Sequence, residues 1–384
     1  MEVTADERLK SSSARRVDPL QTALGLAGDS LRLTSPNPRV GCVITSGNDK
    51  DWARGHTQQV GGPHAEIMAL RDATARGNSV EGATAYVTLE PCSHHGRTGP
   101  CCDALIAAGI KKVIVSIEDP NPLVSGQGIA RLRAAGIEVV VGPGATESRE
   151  LNIGFFSRMI RKTPWVRMKL AASLDGKTAL ENGKSQWITS DLARVDGHAW
   201  RARACAVLTG IGTVLEDNPR LDARGVNTPR QPHLVVVDSR LETPLDANLF
   251  VPGRALYIYA AVQNHEKEKA LAARGATVIY LPGKTPGTQD KVDLAAMLRD
   301  LAVREVNELH VEAGHRLNGS LVKESLVDEF VVYLAPKLIG QGRDMAGFGP
   351  LADLADAVPL EFKSTAMLGP DLRLIAQVAG RDRF

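Results

Sequence analysis

Two hydrophobic rhythms alternate along the chain. After Asp18-Pro19, a helix N-cap followed by a first-turn proline, Leu20, Ala23, Leu24 and Ala27 recur at helical spacing and predict a helix. Residues 40–44 form a short apolar run and predict a strand. The pattern continues with a helix over 64–76, a strand over 83–89 stopped by Pro91, a short helix over 101–109 and a strand over 111–117. A helix ending at Gly136 and a strand over 137–141 follow. Strands alternating with helices make this half α/β, with its polar residues at strand-to-helix turns.

Gly142-Pro143-Gly144 interrupts the rhythm. Residues 147–161 read as a helix closing a first domain, and Thr163-Pro164 as the boundary, giving domains over 17–162 and 163–384. The second half again alternates. Strands are expected over 165–172, 206–209, 234–238, 255–259, 277–281 and 309–312, with a helix over 191–203 and others between several strands. Two more strands, 329–334 and 371–376, close the chain. No internal repeat or low-complexity tract interrupts this second α/β domain.

A length of 384 residues supports the two-domain division. The chain is 43% hydrophobic and 23% charged with a net charge of +2, which offers no electrostatic reason to expect nucleic acid or membrane as a partner. No apolar run reaches the length of a membrane span. Residues 1–18 are polar, with Ser11-Ser12-Ser13 and Arg15-Arg16, lack the apolar stretch of a secretory signal, and read as a frayed leader. Five cysteines, an odd number in a large chain, argue against a disulfide framework and for a reducing cytoplasm. Cys42 and Cys205 lie in apolar runs and read as small buried hydrophobes.

The other three cysteines change the picture. His64-Ala65-Glu66 is followed by Pro91-Cys92 and then Cys101. One imidazole and two thiolates make a three-ligand zinc site that leaves a fourth tetrahedral position for water, the mark of a catalytic metal. Glu66, two residues after the histidine, is placed to move protons. This is the zinc deaminase layout. His64 and Cys101 both fall at predicted helix N-termini, where the partial positive charge favours a thiolate. Eight residues, from Ser93 to Pro100, separate the two cysteines, where the common signature has two. The longer loop alters the pocket wall. Cys102 is an alternative ligand to Cys101, and a closed structural site with His94, His95 or Cys102 as fourth ligand stays open as a reading.

Val87-Thr88-Leu89-Glu90-Pro91-Cys92-Ser93-His94-His95-Gly96-Arg97-Thr98, with Ser35-Pro36-Asn37-Pro38 upstream and Asp119-Pro120-Asn121-Pro122 downstream, closely resembles the bifunctional riboflavin-biosynthesis deaminase–reductase family. The likeness continues through Lys169-Leu170-Ala171-Ala172-Ser173-Leu174-Asp175-Gly176-Lys177, Ser185-Gln186-Trp187, Thr213-Val214-Leu215-Glu216-Asp217-Asn218-Pro219 and Val311-Glu312-Ala313-Gly314. It implies an α/β chain in which a cytidine-deaminase-like three-layer domain precedes a dihydrofolate-reductase-like α/β domain. It also implies zinc-dependent deamination of a diaminopyrimidine ribosyl phosphate, then reduction of the ribosyl unit to ribityl by NADPH.

By the same resemblance the zinc ligands fall on His64, Cys92 and Cys101, and the proton shuttle on Glu66. Deaminase substrate contacts fall on Asn37, His56, His94, Arg97, Asp119 and Asn121. Arg97 is the phosphate candidate. NADPH contacts fall on Ala171, Trp187, Thr213, Asp217 and Ser239, and along 314–320 from Gly314. Reductase substrate contacts fall on Lys169, Ser185, Arg201, Leu221, Arg224 and Glu312. Gly210-Ile211-Gly212 follows an apolar strand as a dinucleotide-binding turn does, but Leu215 stands where a third glycine would be. Asp238 alone suggests NADH, whereas Ser239 and Arg240 accommodate a 2′-phosphate.

Small-molecule partners, a cytoplasmic location and a homo-oligomer complete the expectation. Three rivals remain: a nucleic-acid-editing deaminase, which needs a basic, aromatic channel that a chain with 4% aromatic residues does not suggest; a structural zinc module with a nucleotide-sensing domain; and a deaminase joined to an inactive reductase.

Overall fold

The computed structural model describes residues 18–46, 52–94, 99–122 and 124–384, with Trp52 described by its backbone alone. The leader before Asp18 and the loop residues His95, Gly96, Arg97 and Thr98 lie outside the described residues. The chain divides into two compact units. One comprises Met1–Ser30 with Arg39–Leu151, the other Leu31–Pro38 with Asn152–Phe384.

In the first unit the order is α1 (Pro19–Asp29), β1 (Gly41–Thr45), β2 (Trp52–His56), α2 (Ala65–Ala75), β3 (Thr84–Val87), α3 (Cys101–Ala107), β4 (Lys112–Val115), α4 (Gln127–Ala134), β5 (Glu138–Val141) and α5 (Ala145–Leu151). Asp18 caps α1 by accepting the Leu20 amide at 2.9 Å. The sheet order is β2-β1-β3-β4-β5. Its β2-β1-β3 edge is antiparallel and its β3-β4-β5 edge parallel. Gly55 of β2 has no room for a side chain, since a Cβ there would meet the Ala65 carbonyl at 2.3 Å and the Ala69 nitrogen at 2.4 Å. That close approach seats α2 on the sheet and fixes the helix start that carries His64 and Glu66.

In the second unit the order is α6 (Ile153–Arg161), β6 (Trp165–Ser173), β7 (Lys177–Leu180), α7 (Asp191–Arg203), β8 (Ala206–Gly210), α8 (Ile211–Asp217), β9 (His233–Val237), β10 (Leu256–Ala260), α9 (His265–Ala273), β11 (Ala276–Tyr280), α10 (Leu294–Val303), β12 (Glu308–Val311), α11 (His315–Lys323), β13 (Glu329–Ala335), β14 (Gly342–Asp344), β15 (Leu360–Leu368) and β16 (Asp371–Val378). A nine-stranded sheet runs β11-β10-β9-β8-β12-β6-β13-β16-β15. It is parallel from β11 to β13 and antiparallel at β16 and β15. The strands β8, β9 and β12 are almost wholly buried, as strands covered on both faces are; β8 and β9 are mainly apolar, while β12 carries the buried polar side chains Glu308 and His310. β14 and β7 pair as a separate ribbon.

The helix expected over 147–161 is two helices, broken at Asn152 (φ −111°, ψ 16°). The second of them belongs to the second unit. Arg158 Nε donates to Asn307 Oδ1 at 2.5 Å, and Arg161 pairs with Asp328 at 2.8 Å. Leu31–Pro38 is held in that unit too: Asn307 Nδ2 donates to the Pro36 carbonyl at 2.7 Å, and Ser35 Oγ lies 2.7 Å from Cys205 Sγ. Cys42 and Cys205 are buried free thiols.

Candidate functional sites

In the first unit His64 is the N-cap of α2, and Cys101 opens α3. Cys92 lies in the turn after β3. One donor atom from each of the three lies within 4.8 Å of the other two. Cys101 Sγ is 3.3 Å and Cys92 Sγ 3.6 Å from His64 Nδ1, and the Cys101 amide donates to Cys92 Sγ at 3.3 Å. Hydrogen bonds from the Cys101 thiol hold the Cys92 thiol well below its ordinary value against the effect of burial, and His64 helps. The same bond, with burial, raises Cys101. One nitrogen and two sulfurs converging in this way are a zinc donor set, with three corners of a tetrahedron provided.

Cys102 points elsewhere. It is fully buried and donates to the carbonyls of Pro91 at 3.2 Å and Gly128 at 3.5 Å. His94 is exposed, and among the described residues the metal-capable cluster has three members. Glu66 stands one helical step inside His64, buried to 3% exposure. Burial pushes its carboxyl up to about 7, with the Cys92 thiolate adding and His64 opposing. A divalent cation on the three ligands acts in the opposite sense.

Asp119, on the loop after β4, is also buried. Burial, then Glu90 and Cys92, push it up to about 7, while the Asn121 amide, donating to Asp119 Oδ1 at 2.8 Å, opposes. His56 ends β2 half-buried, its Nδ1 3.2 Å from Ser30 Oγ and 3.3 Å from Gln58 Nε2. Asn37 lies in the Leu31–Pro38 segment, its amide donating to the Thr34 carbonyl at 2.8 Å. Arg97 is outside the described residues.

The second unit gathers its residues at the carboxyl ends of parallel strands, where open α/β sheets bind ligands. Two cavities of about 590 and 610 Å³ lie there and share Thr213, Glu216, Gly314, His315 and Arg343. The first is walled by Gly210, Gly212 and Thr213 at the β8–α8 turn, by Ser239 and Arg240 after β9, and by Gly314, the N-cap of α11. The second brings together Lys169 and Ala171 of β6, Ser185 and Trp187, Arg201 of α7, Asp217, Leu221 and Arg224, and Glu312 after β12. The individually expected cofactor and substrate residues of this half therefore border one cavity or both, while of the expected 314–320 stretch Gly319 and Ser320 border neither.

At the centre of the second cavity Arg201 grips Glu312 with two hydrogen bonds, Nη2 to Oε2 at 2.9 Å and a shorter one from Nε to Oε1. Lys169 Nζ lies 3.7 Å from Glu312 Oε2. Burial works against the Glu312 carboxylate, but Arg201 and Lys169 hold its pKa well below the usual range. Burial lowers Lys169, with Glu312 opposing.

Asp238 is not offered to a ligand. It is fully buried and accepts the amides of Glu242 at 2.9 Å and Thr243 at 2.8 Å and the Thr243 hydroxyl at 2.6 Å. Sequence reasoning missed His198, Arg194 and Arg343, all on the second cavity. Arg194 stacks over Trp187 at 4.4 Å, and His198 Nδ1 accepts the Arg224 amide at 3.2 Å. Arg343 arrives from β14, far along the chain from the motifs it meets, and no local pattern marks it.

A deaminase-type zinc cluster in one unit and a dinucleotide-sized cleft on a parallel sheet in the other define a two-activity enzyme, a zinc deaminase joined to a reductase. Residues 17–117 match the cytidine and deoxycytidylate deaminase zinc-binding region, and residues 164–374 match the RibD C-terminal domain. The Escherichia coli riboflavin biosynthesis protein RibD is 43% identical over 366 residues, which is 92% of this chain and 96% of the relative. The solved structure of Acinetobacter baumannii RibD, 37% identical, superposes with a TM-score of 0.83 over 94% of this chain and 97% of that one. A Thermotoga maritima diaminohydroxyphosphoribosylaminopyrimidine deaminase/5-amino-6-(5-phosphoribosylamino)uracil reductase, 31% identical, also reaches 0.83, covering 94% of this chain and 98% of its own. The chain belongs to the RibD family of riboflavin biosynthesis proteins.

Proposed function

We propose that the chain deaminates 2,5-diamino-6-(5-phosphoribosylamino)pyrimidin-4(3H)-one at the carbon bearing the 2-amino group, then reduces the ribosyl unit of the resulting 5-amino-6-(5-phosphoribosylamino)uracil to ribityl. The observation that carries this reading is the pairing, on one chain, of the His64, Cys92 and Cys101 cluster beside Glu66 with the Glu312, Arg201 and Lys169 cluster beside two confluent cavities. The functional partition follows residues 17–162 and 163–384.

His64, Cys92 and Cys101 hold zinc, which supplies Lewis acidity at neutral pH. Glu66 takes the proton of the attacking water, passes one to the ring nitrogen and delivers another to departing ammonia. Its burial raises the proton affinity of the carboxyl, and the cation on the three ligands opposes that rise. Asp119 and Asn121 hydrogen-bond the polar edge of the substrate, with Asn37, His56, His94 and Arg97 completing its contacts and Arg97 taking the phosphate.

In the second unit NADPH supplies the hydride. Thr213, Ser239 and Gly314 hold it along the first cavity, and Ala171, Trp187 and Asp217 at the second. Ser239 and Arg240 receive the 2′-phosphate, since the Asp238 carboxylate that would read an unmodified ribose is occupied by its own turn. Arg201 fixes Glu312, whose negative charge stabilises the cationic sugar carbon that accepts hydride. Lys169 protonates the ring oxygen as the sugar opens. Ser185, Leu221 and Arg224 shape and anchor the substrate end, Arg224 as a phosphate partner.

No helix among the described residues is long and apolar enough to cross a membrane. A cytoplasmic homo-oligomer is part of the reading, and light scattering on the purified protein tests the assembly. The deciding assay gives zinc-loaded protein the diaminopyrimidine ribosyl phosphate and NADPH, and follows ammonia and NADPH absorbance together. Ammonia first, then NADPH loss that depends on it, is the expected course. No ammonia removes the substrate assignment, and ammonia without NADPH loss removes the reductase.

A further inference from the structure

We infer that Glu90 is a positioning residue of the deaminase site, tying the loop that carries Asp119 and Asn121 to the turn that carries the zinc ligand Cys92. Glu90 immediately precedes Pro91-Cys92 and is 4% exposed. Its carboxylate accepts four backbone amides. Oε2 takes those of Asp119 at 3.1 Å and Gly126 at 3.0 Å, and Oε1 those of Gly128 at 2.9 Å and Ile129 at 3.1 Å. No salt bridge to Glu90 occurs among the described residues.

Three of these amides belong to the start of α4. Its N-cap, Gly126, has a φ of 74° and no side chain, so the first amides of the helix depend on an acceptor from elsewhere. Capping alone would explain those three contacts. The fourth lies outside the helix, on Asp119, whose own carboxylate accepts the Asn121 amide at 2.8 Å. One side chain thus sets the backbone of the substrate loop and the first turn of α4.

The other end of Glu90 is anchored as firmly. Its amide donates to the Ile117 carbonyl at 3.0 Å. Gly128 lies against the Pro91 carbonyl so closely that a Cβ would stand 2.0 Å from it. Cys102 donates to the carbonyls of both Pro91 and Gly128. Behind Cys92, therefore, Glu90, Cys102 and the α4 start form one buried polar knot. A displacement of the Asp119 amide carries Asp119 and Asn121 with it and weakens the substrate contacts that they make.

Glu90→Gln tests this with little change in volume. The amide keeps one acceptor oxygen but turns an NH₂ donor toward two backbone N–H donors. The expected result is a fall of about 10- to 100-fold in kcat/KM for ammonia release, carried mainly by KM. Bound zinc and NADPH-dependent reduction of the supplied uracil intermediate should match the parent. A KM within twofold of the parent in folded, zinc-loaded Glu90→Gln overturns the inference, as does a loss that only tracks lost zinc.

Should the variant fold poorly, hydrogen exchange on the unsubstituted protein decides. The amides of Asp119, Gly126, Gly128 and Ile129 must be protected, and more so with the uracil product bound. Exchange as fast as that of exposed loop amides overturns the inference. The inference rests on the substrate role proposed above for Asp119 and Asn121. Asp119→Ala with an unchanged KM removes that role, whereas a raised KM in Asp119→Ala together with an unchanged KM in Glu90→Gln removes the inference alone.

Discussion

The two sites are built on opposite plans. The zinc cluster draws its donors from His64, Cys92 and Cys101, at turns next to α2 and α3, and buries the Glu66 carboxyl beside them. The reductase cleft draws on residues from Lys169 to Arg343, many of them at the ends of strands adjacent in the sheet but distant in sequence. A metal site needs a few donors at fixed distances, so a short motif specifies it. A dinucleotide cleft needs a long wall, so it is made by topology, with backbone and side chains arriving from many strands. The electrostatics differ in the same way. Glu66 is pushed up by burial that His64 offsets only in part, while Glu312 is held down by Arg201 and Lys169. Burial favours the protonated form of one carboxyl, and neighbouring cations favour the charged form of the other.

That contrast can be broken most forcefully at Glu66. Glu66→Gln should lower ammonia release by about 10²- to 10⁴-fold with zinc content intact, while reduction of supplied uracil intermediate stays at the parent rate. Equal losses in both reactions would mean that the two sites are not separable. Zinc removal by a chelator should likewise silence ammonia release and spare hydride transfer, with zinc restoring the first.

Glu312→Gln makes the complementary cut. Single-turnover hydride transfer under saturating NADPH should fall by about 10²-fold, by analogy with the loss of one electrostatic contact to a developing charge. The variant should also lose roughly 3 kcal/mol of stability, because Arg201 is left buried without its partner. Undiminished hydride transfer would remove Glu312 from the chemistry.

The pH dependence sharpens the difference further. A carboxyl held low in the folded state contributes stability that is fully present above its unfolded value of about 4.3 and is lost as pH falls through its folded value. The stability gap between the parent and Glu312→Gln should therefore stay constant from about pH 6 to 8 and narrow only at acid pH, as read by denaturant unfolding. Reductase activity should show no limb from Glu312 near neutrality. The smallest effect is expected at the cofactor's 2′-phosphate: Arg240→Ala should reduce the preference for NADPH over NADH by about tenfold, the worth of one charge-assisted hydrogen bond.

Where physics is local, the sequence was readable. Asp18-Pro19 announced α1, and the helix expected over 191–203 is α7 (Asp191–Arg203). The metal cluster followed from residue type and spacing. The choice between Cys101 and Cys102 did not, since it depends on which way neighbouring thiols point at a helix start. β2, β7, β14 and β15 went unread. β7 finds its partner β14 more than a hundred residues away, and β15 is largely exposed, so neither carries a clean alternation. The 147–161 stretch looked continuous because its apolar spacing survives the break at Asn152, where one helix ends and the next begins in another unit. Glu90 lies within the motif around Cys92, yet its part is illegible there, because a side chain that acts on the backbone amides of a remote loop leaves no trace in spacing.

The turn after β9, fastened from inside by the buried Asp238, has a historical consequence. Asp238 accepts two amides and a hydroxyl from residues 242 and 243, so the same carboxylate that could welcome the unphosphorylated cofactor is the fastener of its own loop. Substitution at the rim, at Ser239 and Arg240, leaves that fastening in place. To change its appetite outright a lineage must first unfasten Asp238, and every such path begins with a less stable protein. The rim that faces the cavity is in this way held in place by a carboxylate that points away from it.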